Sequence, residues 1–449
     1  MTDLTKDIPF ALAAVASDDG LPAEADVVII GGGIAGVATA YYLAKKRHRV
    51  AVVEKGRIGA EQSGRNWGWV RQQNRDEREL PLARWALGAW AELAGEIGAD
   101  LGFRRDGLVY VSDDPEELAG WEKWVSMARG YDVHSRMLGR AETAALMPAG
   151  SGRWIGGVHS PSDGHAEPAL ASPALAGAAR ARGATIHQNC AARGVEMQGG
   201  AVAAVVTERG RIRTSRVLCA GGAWTSMFCR WHGIDFPQSG VHASAFATVP
   251  GPTVINGGLS TPGFTFRRRM DGGYTVSIRN RGRIEITPQG LRYARQFWPM
   301  FRERWSSSVS LGIGRSFFSG PEALARWELD TISPFETMRV LNPAADEPTI
   351  RAALDALAQN YPMLKGIGVA QKWGAWIDST PDAVAAIGEA PGMPGFFVSS
   401  GFSGHGFGVG PAAGRLAADL IVGDKPIVDP HPLRFARFSE GDLGSPAAM

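Results

Sequence analysis

The stretch DVVIIGGGIAGVATAYYLAKKRHRVAVVEKG, residues 26 to 56, constrains the chain more than any other. Val27 to Ile30 is a short, wholly apolar run, the pattern of a parallel strand covered on both faces. Gly31, Gly33 and Gly36 then open a helix in the order GxGxxG. The first glycine permits the tight turn, the second lets the backbone approach a pyrophosphate, and the third brings helix onto strand. The helix N-terminus keeps free N–H groups for the phosphates. Val50 to Val53 is the next strand, and Glu54 at its end is placed to accept hydrogen bonds from both hydroxyls of an adenosine ribose, which argues against a 2'-phosphate. The unit predicts a dinucleotide site built from Gly31, Gly33, Ile34, Ala35, Gly36, Glu54 and Lys55. By itself it does not separate NAD from FAD.

The far end supplies the distinction. Residues 399 to 421 read SSGFSGHGFGVGPAAGRLAADLI. When a flavin accepts a hydride, negative charge develops around N1 and the C2 carbonyl, and a helix N-terminus with free amides stabilises it. Gly401, Gly404, Gly406, Gly408 and Gly410 let the backbone lie against a flat ring, with Pro411 as the first helical residue and Ala412 to Ile421 continuing the helix. One glycine-rich turn is thus expected to hold the pyrophosphate, and the other, through Gly404, His405, Gly406 and Phe407, the flavin. The competing reading of this segment is a flexible loop.

Composition narrows the classes. A chain of 449 residues suggests two or three domains. A formal charge of +2, carried on the basic side mostly by arginine, favours bidentate pairing with carboxylate or phosphate over attraction to a polyanion, so no nucleic-acid partner is expected. Cys190, Cys219 and Cys229 fit neither a metal spacing nor a disulfide framework, as in a reduced cytoplasmic protein, and read as packing residues with no metal site. The run from Phe10 to Ala16 is a poor signal peptide, and no segment approaches the roughly 20 apolar residues of a membrane helix.

Four segments together resemble the FAD-dependent D-amino-acid oxidase superfamily, on the branch of glycine oxidase, sarcosine oxidase and related amine dehydrogenases. They are GGGIAG with Glu54; IGAEQSGRNWGWV, residues 58 to 70; RVLCAGGAWT, residues 216 to 225; and WGAWIDSTPDAVAAIG with the glycine-rich end. The resemblance implies FAD, lying along Ser63, Gly64, Arg65, Asn66 and Trp67 and reaching Ala220, Gly221 and Trp224. It implies an α/β fold in which a Rossmann-like FAD-binding domain (24–75, 151–240 and 371–449) interleaves with an α+β substrate domain (76–150 and 241–370) built on an antiparallel sheet, residues 1–23 being an N-terminal extension. Covalent sarcosine oxidases carry a cysteine where Ala375 stands, so the FAD is expected to be noncovalent. Glycine oxidase has its carboxylate-binding arginine about where Ile377 stands, with Asp378 beside it, and the lysine that helps oxygen react in monomeric sarcosine oxidase is absent from GYTVSIRN, residues 273 to 280. Oxygen and another electron acceptor both remain open.

The reaction implied is oxidation of the C–N bond of a small amine or N-substituted amino acid, or catalysis as a flavin-binding dehydrogenase subunit of a larger complex. Such a site needs an anchor more than acid-base machinery. Arg71 lies near the position of a carboxylate-binding arginine of sarcosine oxidase. In FTFRRRMDGGYTVSIRNRG, residues 264 to 282, strand alternation puts Arg267 and Arg269 on one face and Arg268 on the other, and Arg279 follows. Several arginines on one flavin face suit two carboxylates, as in iminodiacetate. Trp69, with Trp67, walls the pocket or packs. Among the candidate catalytic residues Arg71, Asp378 and His405, Asp378 binds a substrate ammonium or caps a turn, and His405 contacts the flavin or abstracts a proton.

Overall fold

A computed structural model of the chain describes residues 8–147, 150–304 and 309–444. Strand β1 (Val27–Ile30), helix α1 (Ile34–Lys45) and strand β2 (Val50–Val53) form the predicted crossover unit, and both strands are buried end to end. They pair in parallel, Val27 beside Val50 and Ile30 beside Val53. Their β-branched residues suit a strand covered on both faces. Spatially the sheet runs Ala386–Glu389, Phe396–Ser400, Val217–Cys219, β1, β2, Thr185–His187. All neighbours are parallel except the edge strand Ala386–Glu389. Residues from the start, middle and end of the chain therefore complete one sheet. The three cysteines are free thiols, packed together in the core beneath it.

The helix Gly406–Val422 and α2 (Leu80–Ile97) pack with α1 and the helix Pro168–Ala181 in one core. Residues 80–97, expected in the substrate domain, thus join the core of the parallel sheet. The glycine-rich helix also starts earlier than its proline suggests: Pro411 stands inside it. Close packing explains why glycine is needed along it, since a Cβ on Gly410 would fall 2.5 Å from Ile34 and one on Gly414 2.4 Å from Ala38, both in α1. Gly410 brings two helices together and is not there for a ring.

A second sheet of ten strands carries Ser239–Thr248 along Val369–Ser379 and continues through Tyr274–Ser277, Thr265–Arg268, Gly258–Ser260 and Leu108–Ser112. Most of its pairs are antiparallel, with parallel joins at Gly258–Leu108 and Gly282–Val309. The protein is thus a mixed α/β fold in which a parallel and a mainly antiparallel sheet interleave along the chain. Between Pro115–Ala128, the two sheets and the glycine-rich helix lies the large cavity described below.

The described part of the N-terminal extension, residues 8–23, is folded onto this frame. Ile8 packs with Ala60 and Val340, and Phe10 lies 5.9 Å from the Trp373 ring and 5.5 Å from the Arg65 guanidinium. Among the described residues no helix is long and apolar enough to cross a membrane.

Candidate functional site

The site begins at the turn after β1. Gly31 has φ +109°, and a Cβ there would sit 2.3 Å from the Ala220 carbonyl oxygen; one on Gly36 would sit 2.1 Å from the Gly31 carbonyl. Both positions therefore demand glycine. Glu54 receives the Gly32 N–H on Oε2 and the Gly56 N–H on Oε1, each at 2.7 Å, which fixes the carboxylate at the mouth of a slot of about 100 Å³. Burial pushes the Glu54 carboxyl above its ordinary range, though Lys55 and the two N–H donors oppose this. Gly33, Lys55, Ser63, Ala220, Gly221 and Trp224 line the same slot. Lys55 bonds Glu61 at 2.5 Å and lies 4.5 Å from the Trp224 ring. Ser63 accepts the Ile34 N–H at 2.8 Å, so its hydroxyl caps α1.

The slot opens into a cavity of about 990 Å³ that shares Gly33, Gln62, Ser63, Ala220 and Gly222 with it. Ile34, Ala35, Arg65, Asn66, Trp67 and Trp69 line this cavity, and so do Gly404, His405, Gly406 and Phe407 across from them. The two glycine-rich turns, separated by most of the sequence, thus border one continuous trough. Gly64 and Gly36 do not line it: Gly64 leaves room for the Gly59 carbonyl and the Phe10 ring, 2.5 and 2.7 Å from where its Cβ would be.

Arg65 is buried, donating to the Ala60 and Gly374 carbonyls and to Asn342, yet its Nη2 finds no partner among the described residues. Burial pushes its guanidinium down to about 10. A buried cation with an unspent donor, a backbone turn with no room for side chains and a ribose-ready carboxylate along one trough fit a dinucleotide with an extended ring at its far end. The residues present therefore fit FAD.

The predicted arginines part company. Arg71 lines the cavity, its guanidinium 6.0 Å from both the Trp69 and Tyr110 rings, and its one hydrogen bond among the described residues is to the Gln73 carbonyl. Arg279 lines it too, 5.9 Å from Tyr110 and 5.8 Å from Trp121, but is ion-paired with Glu117. The other three are corrections. Arg267 is 1% exposed and makes a two-pronged bridge to Glu167, both contacts at 2.8 Å. Arg268 donates to the Gly251 carbonyl and Arg269 pairs with Asp271. None of the three lines the cavity. Alternation along Thr265–Arg268 gives the face of each side chain, but Glu167, 100 residues away, decides what covers that face.

Asp378 borders the cavity and holds the turn after Phe396–Ser400, its Oδ2 accepting from Gln238 at 2.8 Å and from the Gly401 N–H at 3.0 Å. Burial still pushes its carboxyl up to about 6. His405 Nδ1 and Glu79 Oε2 share a hydrogen bond at 2.9 Å. Tyr110, Glu79 and the cavity-lining Arg281 escaped the sequence reading, because no motif marks a tyrosine in a strand or an acid in a charged run.

Comparison with known proteins agrees with this geometry. Residues 26–420 match the model of a family described as DAO, FAD dependent oxidoreductase. Human mitochondrial sarcosine dehydrogenase is 28% identical over 93% of this chain, and 4-methylaminobutanoate oxidase (formaldehyde-forming) from Paenarthrobacter nicotinovorans 27% identical over 97%. The chain spans less than half of either relative, 42% and 48%. Among solved structures, L-amino acid deaminase from Proteus myxofaciens in complex with anthranilate superposes with a TM-score of 0.90 at 30% identity, covering 95% of this chain and 96% of that one.

Proposed function

Because the chain belongs to the DAO family of FAD-dependent oxidoreductases, we propose that it oxidises the C–N bond of a small amino acid or N-substituted amino acid whose carboxylate is held by Arg71. Bound FAD supplies the acceptor for the hydride leaving the substrate carbon. The imine so formed is then hydrolysed. The chain's own residues bind, orient and dry the site. Gly31, Gly33, Glu54 and Ser63 would hold the dinucleotide, Arg65 with its unspent Nη2 would meet its polar middle, and the N-terminus of the helix Gly406–Val422 would receive negative charge at the ring. With Ala375 in place of a cysteine, the cofactor is held without a covalent bond.

Arg71 carries the reading of the substrate. It is a cavity guanidinium between two aromatic rings with only a backbone carbonyl as partner, so its outer edge is available to a carboxylate. Arg279 is already neutralised by Glu117, which favours one carboxylate over two; iminodiacetate would have to displace that acid. Trp67, Trp69, Tyr110, Trp121 and Trp124 supply an apolar wall for the remaining substrate.

The test is an anaerobic titration of the purified protein with sarcosine, glycine, proline, iminodiacetate and a panel of L- and D-amino acids, followed by admission of air. Bleaching of the flavin band identifies the class, and the speed of recovery separates oxygen from another acceptor. Arg71→Ala should raise KM for the bleaching compound at least tenfold, since a charged hydrogen bond contributes about 1.5–3 kcal/mol. Unchanged KM removes Arg71 from the reading.

A further inference from the structure

His405 and Glu79 lie 326 residues apart, yet Nδ1 and Oε2 meet at 2.9 Å with side chains 3% and 0% exposed. Glu79 immediately precedes α2, and His405 immediately precedes the glycine-rich helix. Nε2 of His405, a residue that lines the large cavity, is buried and has no partner among the described residues. An ionised carboxylate only accepts hydrogen bonds, so Nδ1 must carry a proton, and a neutral imidazole then holds a lone pair at Nε2.

The surrounding charges agree. Burial pushes the imidazole down to about 4, aided by Arg75 and Arg71 and opposed by Glu79. Burial would raise the Glu79 carboxyl, but His405 and Arg75 hold it below its ordinary range. Near neutral pH the pair is therefore carboxylate and neutral imidazole.

We propose that Glu79 is a positioning residue that locks His405 as the Nδ1–H tautomer, so that Nε2 offers the cavity a hydrogen-bond acceptor for an N–H donor. The donor is a ring N–H of the flavin or the amino N–H of the substrate; the proposal rests on the cavity being the flavin and substrate site. A hydrogen bond received there leaves the imidazole neutral, and no proton needs to cross.

The test uses full-length protein labelled with ¹⁵N-histidine, stripped of cofactor, with His405→Gln assigning the resonances. At pH 7.5 the expected spectrum has His405 protonated at Nδ1 and bare at Nε2. Addition of FAD should move Nε2 if the flavin is the donor. If the substrate is, Nε2 should move only when anthranilate follows, a probe that joins N–H to a carboxylate but has no hydrogen on the carbon bearing nitrogen. Glu79→Gln, whose amide can accept from Nδ1–H or donate to a bare Nδ1, should release the lock so that the Nε2–H tautomer appears, and should weaken the ligand that moves Nε2 at least tenfold while the melting temperature stays within a few degrees. A wild-type ring protonated at Nε2, an Nε2 moved by neither ligand, or a Glu79→Gln protein with unchanged tautomer and affinity overturns the proposal. Free-flavin fluorescence left unchanged by the apoprotein refutes the cofactor reading itself, and the proposal with it.

Discussion

Replacing Arg267 by methionine should unfold this protein sooner without touching its substrate. The guanidinium gives Glu167 two contacts at 2.8 Å and donates from Nε to the Trp67 carbonyl at 2.6 Å. Glu167 starts the helix Pro168–Ala181 and also accepts the Met270 N–H at 2.9 Å, so the pair joins the second sheet to the core of the first. Removing one partner leaves a buried carboxylate uncompensated, which costs about 3–5 kcal/mol. With an unfolding entropy of about 2.1 cal/mol/K per residue, a chain of 449 residues loses about 3–5 °C of melting temperature. Burial opposes ionisation of Glu167, but Arg267 outweighs it and holds the carboxyl below its ordinary range. The wild-type pair therefore stabilises the fold above the unfolded carboxyl pKa of roughly 4.3 and loses that contribution as pH falls through the lower folded value. In Arg267→Met the freed carboxyl takes up its proton at higher pH, so the deficit should shrink between pH 7.5 and pH 5. Thermal unfolding followed by circular dichroism measures both effects, and Arg267→Met with Glu167→Leu should recover most of the loss. A melting temperature within a degree of wild type, with KM raised tenfold, would place the guanidinium against the substrate and refute the assignment.

Glu322 is buried between the Gly240 N–H and the Thr287 hydroxyl, and burial pushes its carboxyl up to about 7. The folded chain thus keeps a proton that the unfolded chain has released, and this group's contribution falls as pH rises from about 4.5 to about 7, on the order of 3 kcal/mol in all. Denaturant titrations of Glu322→Gln should show that slope gone and the variant at least as stable as wild type at pH 8. Gly36→Ala places a methyl 2.1 Å from the Gly31 carbonyl, so the turn must open; FAD fluorescence quenching should report at least tenfold weaker binding. Phe10→Ala removes a half-buried ring from Arg65 and Trp373, costing about 1–2 kcal/mol, and should weaken FAD several-fold with substrate KM unchanged.

The dinucleotide turn was legible because every element of it is local. Strand, glycines, helix and Glu54 fall within about thirty residues, and Gly36 is required by the Gly31 carbonyl of its own turn, although the Ala220 carbonyl that requires Gly31 comes from far along the chain. The glycine-rich end lines the cavity that the first turn borders, but its helix was expected to start at Pro411, because proline is easiest to place in a first turn. Packing of Gly410 and Gly414 onto α1 outweighs that preference, and no local pattern announces a helix partner so distant in sequence. The arginines show the same limit from the other side. In the sequence Arg71 and Arg267 each stand close after an aromatic residue, Trp69 and Phe266; what separates them in the structure is Glu167 opposite one and open space opposite the other.

The order of the parallel sheet has a consequence for how the protein is made. Val27–Ile30 is flanked by Val217–Cys219, which in turn needs Phe396–Ser400 beside it. A ribosome adding roughly 5–20 residues per second exposes the first glycine turn about 20–75 s before the last of these strands emerges. Through that interval an apolar edge stays unpaired, first that of β1 until residues 217–219 emerge and then that of Val217–Cys219, the kind of surface that recruits a chaperone or a neighbouring chain. Supply of FAD to the nascent chain cannot shorten the wait, because the trough that would hold it has no far wall until residue 400 and beyond are out. Yield of active protein should therefore depend on translation speed and chaperone supply more steeply than for a protein whose cofactor domain is one unbroken stretch.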